Sequence, residues 1–158
     1  MKDMILTDEM QKVMDLVKNT DSNVFVTGKA GSGKTTFLKY LIANCGKNCI
    51  VTAPTGVAAI NAGGVTLHSM FGIPFGPITP YDKLENRFSE YKTELLLKLQ
   101  LLIIDEISMV RPDILDTIDR KLRWVCECDE PFGGVQIVMF GDLFQLPPVI
   151  KKQDREIL

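Results

Sequence analysis

Eight residues, Gly28-Lys29-Ala30-Gly31-Ser32-Gly33-Lys34-Thr35, have the types and spacing needed to hold a chain of phosphates, G-x-x-x-x-G-K-[ST]. The glycines let the backbone take conformations closed to residues with a Cβ, so successive N–H groups can turn inward on one anion. A helix opening at the end of such a loop adds its positive N-terminal end. Lys34 can then reach the β- and γ-phosphates of a nucleotide, and the Thr35 hydroxyl can ligate Mg2+. Gly28, Gly31, Ser32, Gly33, Lys34, Thr35 and Thr36 are the candidate nucleotide ligands. A glycine-rich turn with a stray lysine is the alternative, and it does not account for the flanking sequence described below.

A second source of chemistry is Asp105-Glu106, directly after the apolar run Leu101-Leu102-Ile103-Ile104. The carboxyl end of a strand is where open α/β sheets bind ligands. Asp105 there suits Mg2+, held through its water, and Glu106 suits the water that attacks a γ-phosphate. Two adjacent acids alone would read as a solvated strand end. A third segment, Gly141-Asp142-Leu143-Phe144-Gln145, follows another apolar run and arrives on the same edge. The Gln145 carboxamide can bond to the γ-phosphate or the attacking water. Alternatively Asp142 and Gln145 serve only backbone groups. Lys34, Glu106 and Gln145 are thus the catalytic candidates, and Thr35 and Asp105 the metal ligands.

The elements that must position these residues are legible in the pattern. Thr7 can cap a helix whose stripe is Met10, Val13, Met14 and Val17. Asn23–Thr27 reads as a buried strand leading into the phosphate loop, and the helix after it runs to about Asn44. Cys49–Ala53 is the next strand, Val57–Asn61 a short helix closed by Gly63-Gly64, and Gly72–Pro80 a loop with three prolines and two glycines. The stretch from Tyr81 to Glu90 has no clear pattern, and Tyr91–Leu99 reads as a helix. Four consecutive apolar residues at 101–104 suit a strand covered on both faces. Arg111-Pro112-Asp113 opens a helix whose buried side is Ile114, Leu115, Ile118, Leu122 and Val125. Val135–Phe140 is a further strand, after a turn-rich link. Strands alternating with helices predict an α/β fold: a mainly parallel sheet with helices on both faces, three layers α/β/α.

Composition agrees. The 158 residues form one domain, 1–158, long enough for a real core. The 46% hydrophobic and 24% charged content is that of a globular chain. No apolar run reaches the ~18 residues of a membrane-crossing helix, so no membrane partner is expected. No signal peptide is visible, which predicts a cytoplasmic protein. A net charge of −2 excludes a generally basic nucleic-acid binder. Cys45/Cys49 and Cys126/Cys128 do not match a zinc module and read as reduced thiols.

Taken together, four segments carry a resemblance. They are G-K-A-G-S-G-K-T, T-A-P-T-G-V-A-A-I-N-A-G-G-V-T-L-H-S-M-F, D-E-I-S-M, and F-G-G-V-Q-I-V-M-F-G-D-L-F-Q-L-P-P-V. In this order they resemble superfamily 1 DNA helicases of the Pif-one type, relatives of the RecD-like helicases, from about Leu6 to Val149. The resemblance implies a RecA-like P-loop NTPase fold, ATP and Mg2+ as cofactors, 5′-to-3′ movement on single-stranded DNA, and roles in DNA repair and telomere maintenance. It implies a monomer, associated with the nucleoid in a bacterium. Gln11 matches the glutamine that reads the adenine edge. Pro54, Thr55, Gly56 and His68 fall in the strand-contacting segments. A tight turn at Pro54-Thr55-Gly56 fits phosphate contact, and His68 fits a phosphate or a base, with plain packing as the alternative. Phe71 and Phe144 read as either core or stacking platforms.

The family's motor has two RecA-like domains, and the second supplies arginines to the transferring phosphoryl group. Arg111, Arg120, Lys121 and Arg123 sit on the wrong element for that role, and Lys151-Lys152 is a tail pair. The chain therefore reads as a first motor domain alone. Without its partner domain it is either a weakly active ATPase or a nucleotide-binding module with negligible turnover.

Overall fold

The structure, a computed structural model, describes residues 5–28, 33–83 and 88–142. Five strands form one sheet: β1 (Val24–Thr27), β2 (Cys49–Ala53), β3 (Val65–Thr66), β4 (Leu101–Ile104) and β5 (Gln136–Gly141). Their order is β1-β5-β4-β2-β3, and every pairing is parallel. All five strands therefore end on one edge, where parallel sheets gather their ligand loops. The register places Thr27 beside Gly141 and Thr52 beside Ile104, so the loops after β1, β5, β4 and β2 stand in a row.

The helices are α1 (Asp8–Asn19), α2 (Lys34–Asn44), α3 (Gly56–Ala62), α4 (Leu67–Phe71), α5 (Glu90–Leu97) and α6 (Pro112–Cys126). Strand β4 shows why they fall into two layers. Successive side chains of a strand alternate between faces. Leu101 and Ile103 join a core with Met14 and Val17 of α1 and Phe37, Leu38 and Leu41 of α2. Leu102 and Ile104 join a second core with Leu67 and Phe71 of α4, Leu96 of α5, and Ile118 and Leu122 of α6. The unbroken apolar run at 101–104 is a strand buried on both sides, as its sequence predicts.

Boundaries mostly follow the sequence. Thr7 caps α1, its side chain accepting from the Met10 N–H at 3.2 Å. Of the predicted stripe, Met14 and Val17 are buried, while Met10 and Val13 are half-buried. Leu115 is half-buried against the second core rather than buried within it. Residues 65–71 resolve into β3 and α4, capped by Thr66 through the Ser69 N–H at 3.1 Å. Among the described residues no helix is long and apolar enough to cross a membrane.

Candidate nucleotide and strand-binding site

Strand β1 delivers the chain to Gly28. Gly33 stands in the left-handed region, at φ 83°, immediately before α2. That conformation is open to glycine at little cost, and it turns the chain from loop into helix. The first N–H groups of an α-helix have no partners within it. Among the described residues no side chain caps α2, so its N-terminal end is left for an anion. Lys34 opens the helix, and its Nζ donates to the Gly28 carbonyl oxygen. Thr35 and Thr36 follow, both exposed. Gly31, Ser32, Phe144 and Gln145 lie outside the described residues.

Two strands away, β4 ends in the acid pair. The Asp105 N–H donates to the Thr52 carbonyl oxygen at 2.8 Å, which ties the turn to β2. The Asp105 carboxylate accepts from the Glu106 N–H at 2.9 Å. Glu106 itself lies in the left-handed region, at φ 53°, ψ 45°. For a residue with a side chain that costs roughly 1–2 kcal/mol.

Charge links the two halves of the site. Burial raises the Asp105 carboxyl above its usual range, opposed by the Glu106 N–H and by the Lys34 charge. Burial also raises Glu106, Asp105 and Asp142 push it further, and Lys34 opposes. Two carboxyl groups, Asp105 and Glu106, thus share the field of the Lys34 ammonium, with Asp142 close enough to add its charge to Glu106. Oxygen donors in such a field, the Asp105 carboxylate and the Thr35 hydroxyl, fit a hard divalent cation such as Mg2+.

Beside Lys34 opens a cleft of about 390 Å3, lined by Thr7, which caps α1, Glu9, Met10 and Val13 of α1, Phe25 of β1 and Phe37 of α2. It is a cleft of mixed lining next to a phosphate loop, with an apolar side of Met10, Val13, Phe25 and Phe37 and a polar side of Glu9, Thr27 and Lys34, a form that suits a base. Gln11 is not brought to it. On a helix successive residues point about 100° apart, so the apolar stripe with Met10 faces the cleft. Gln11 is exposed and its Nε2 donates to Asp15 Oδ1 at 3.0 Å, one turn on. Met10, Val13 and Phe25 meet the cleft, and Gln11 occupies the next position of the same helix after Met10.

The strand-contacting candidates fall at the ends of β2 and β3. Thr55 caps α3, its Oγ1 accepting from the Ala58 N–H at 3.2 Å, and Gly56 is exposed as the first helical residue. Pro54 and His68 meet at a hollow of about 210 Å3 that also touches Phe75, Met109 and Arg111. The His68 ring stacks on Phe75, centroids 5.1 Å apart and planes 16° apart. Burial lowers the His68 pKa from 6.5, the Arg111 charge lowers it further, and Asp113 opposes. Phe71 is fully buried, so its reading as core holds.

Sequence reasoning did not single out Phe25, Phe75 or the place of Arg111. Phe25 sits between Val24 and Val26, a run that hides which face points outward. Phe75 lies in a proline- and glycine-rich loop without periodicity.

The chain matches the family model of the PIF1-like helicase over residues 5–158. It is 42% identical over 161 residues to the ATP-dependent DNA helicase RRM3 of Saccharomyces cerevisiae, a match covering 98% of this chain and 22% of that protein. It is 40% identical over 149 residues to the ATP-dependent DNA helicase PIF1 of Mus musculus, covering 92% of this chain and 22% of that protein. Bacteroides sp. Pif1 in complex with ADP-AlF4 superimposes with a TM-score of 0.95 at 84% identity, over 99% of this chain and 36% of that one. Bacteroides Pif1 bound to ssDNA superimposes with a TM-score of 0.94 at 84% identity, again over 99% and 36%. The chain thus spans about a fifth of these curated relatives and just over a third of the solved chains.

Proposed function

The chain belongs to the PIF1-like helicase family, and from that premise we propose that it is the ATP-binding and ATP-hydrolysing motor domain of a DNA helicase that moves 5′ to 3′ on single-stranded DNA. Residues 1–158 make up one RecA-like domain, and a second RecA-like domain completes the motor. The observation that carries the nucleotide half is the meeting of Lys34 with Asp105 and Glu106 through their shared field. The single-strand half is supported by the relative bound to ssDNA and by the grouping of Pro54 and His68 at one hollow.

The reading assigns each residue a role. The phosphates of ATP lie on the loop of Gly28, Gly31, Ser32, Gly33, Lys34, Thr35 and Thr36, the ligand set read from the sequence. Lys34 exchanges the Gly28 carbonyl for the β- and γ-phosphate oxygens. Thr35 and Asp105 would hold Mg2+, which would neutralise charge on the phosphates. The base lies in the slot beside Met10, Val13 and Phe25. Glu106, its pKa raised by burial, accepts a proton from the attacking water, and Gln145 reports whether the γ-phosphate is present. Every group named comes from one chain, so one copy suffices to bind nucleotide.

Titration calorimetry with Mg-ATP and Mg-ADP tests the assignment. Lys34→Ala removes a charge-assisted contact of about 1.5–3 kcal/mol, more than tenfold in affinity. Equal affinity for the wild type and Lys34→Ala would reject it.

A further inference from the structure

We infer that Phe75 is a nucleobase platform: a base of the bound single strand stacks on the outward face of its ring, and His68 backs the inward face. The inference rests on the strand-binding reading above and deepens it. Phe75 is 90% exposed, although an aromatic ring of this size gains by burial. An exposed phenylalanine alone needs no explanation. This one is mounted. Ile73 and Ile78, two residues before it and three after, are buried in the core shared by α4 and α6. The Ile78 N–H donates to Asp113 Oδ2 at 3.1 Å. The Gly76 carbonyl, next to Phe75, accepts from Arg111 Nη2 at 2.8 Å. The loop is thus pinned on both sides of a ring that stays in solvent, with one face laid on His68.

The surroundings say what the free face takes. Arg111 is the cation of this hollow, and its Nε and Nη2 are bonded to both carboxylate oxygens of Asp113 at 3.0 and 3.1 Å. Its charge is largely spent within the protein. The His68 pKa is also lowered, so near neutral pH the imidazole carries little charge. A strand crossing this hollow therefore finds few phosphate partners and one flat π-face. Stacking on such a face is tolerant of base identity and carries no counterion release. Continuity with Pro54 and His68 places the ring on the same hollow as the proposed strand contacts.

The test compares two ligands of equal length on the 158-residue chain at low salt: a short oligothymidylate and an abasic strand with the same phosphates. Phe75→Ala and Phe75→Leu should each weaken oligothymidylate binding at least about fivefold and leave abasic binding and the salt slope unchanged. Phe75→Trp should keep the affinity. With the single native tryptophan removed by Trp124→Phe, the indole that Phe75→Trp introduces should be quenched by oligothymidylate and not by the abasic strand. Equal losses for both ligands, or no loss for oligothymidylate, would overturn the inference while leaving strand binding intact. A wild-type chain that binds neither ligand would instead bring down the strand-binding reading, and this inference with it.

Discussion

Gly141 and Ile107 meet so closely that a Cβ on Gly141 would stand 2.7 Å from Ile107 Cγ2 and 3.4 Å from the Ile107 nitrogen. Gly141 ends β5, and Ile107 begins the turn that follows Asp105 and Glu106. Only a residue without a side chain lets the end of β5 come this near to the acid turn. The residue before Ile107, Glu106, stands in the left-handed conformation. Gly141→Ala should therefore displace Ile107 and cost about 1–3 kcal/mol of stability, the range for overpacking. Ile107→Ala removes the atom in the way, so the double variant should recover part of that loss. Thermal denaturation of the four proteins in a double-mutant cycle measures the coupling. Strictly additive effects would mean that the two residues do not constrain each other.

His68 sets a pH dependence whose sign follows from its surroundings. Burial first, then the Arg111 charge, lowers its folded-state pKa below 6.5, with Asp113 opposing. Between the lowered and the ordinary value the unfolded chain binds more protons than the native one, so stability rises with pH there. The contribution is full above about pH 6.5 and is lost as pH falls through the depressed value. His68→Gln cannot take up that proton. Urea midpoints of wild type and His68→Gln should converge as pH drops from about 7.5 towards 5, because only the wild type carries this loss. Parallel pH profiles would show that the buried surroundings of His68 do not govern its proton.

These two sites differ in how far the sequence announces them. Asp105-Glu106 follows four apolar residues, and that local pattern alone puts the acids at a strand end on the ligand edge. Burial of Ile114, Ile118, Leu122 and Val125 along α6 is likewise written in helical spacing. Strand β3 is two residues long and α4 five, too short for any period to show. The pairing of His68 with Phe75 joins a helix to a loop whose path is fixed by tertiary bonds from Arg111 and Asp113. Gln11 has a side chain whose type fits a base edge, and in this structure its amide is turned to Asp15, a partner at i+4 one turn on.

Gln136 holds the opposite edge of the sheet. Its side chain sits in a fully buried residue, with Nε2 donating to the Ser22 carbonyl at 2.7 Å and the Leu16 carbonyl at 3.3 Å. Its Oε1 accepts from Lys47 Nζ at 2.8 Å. One amide thus joins the end of α1, the turn before β1 and the turn before β2. Gln136→Leu keeps the volume and removes these bonds, while Lys47 keeps the Thr20 carbonyl and the Leu16 carbonyl keeps the Thr20 N–H, so the cost is about 0.5–1.5 kcal/mol for each bond lost. Because the nucleotide site lies at the other end of the strands, Mg-ADP affinity should stay unchanged while the urea midpoint falls. A parallel loss of affinity would show that the two edges are coupled.

The last expectation concerns turnover by the 158-residue chain by itself. Glu106, the acid proposed to position water, lies in the field of Lys34. The described arginines are engaged elsewhere. Arg111 is bonded to Asp113 and Gly76, Arg120 to the Asp82 carbonyl, and Arg123 to Asp119 and the Asp129 carbonyl. All three belong to α6 or its first cap, and their bonds hold loops rather than face the acid pair. An arginine that meets charge building on a transferring phosphoryl group is worth roughly 10³ to 10⁵ in rate. That corresponds to about 4–7 kcal/mol of barrier, which one positioned glutamate does not replace. The chain alone should therefore hydrolyse ATP slowly and leave duplex DNA intact, with little stimulation by single strands. A longer form carrying a second RecA-like domain should turn over faster by orders of magnitude, and Glu106→Gln in that form should abolish the gain. Steady-state phosphate release, with and without single-stranded DNA, measures both. Rapid, strand-stimulated hydrolysis by the 158 residues alone would mean that the stabilising cation lies within them or comes from a second copy, and the division of labour between two domains would be wrong.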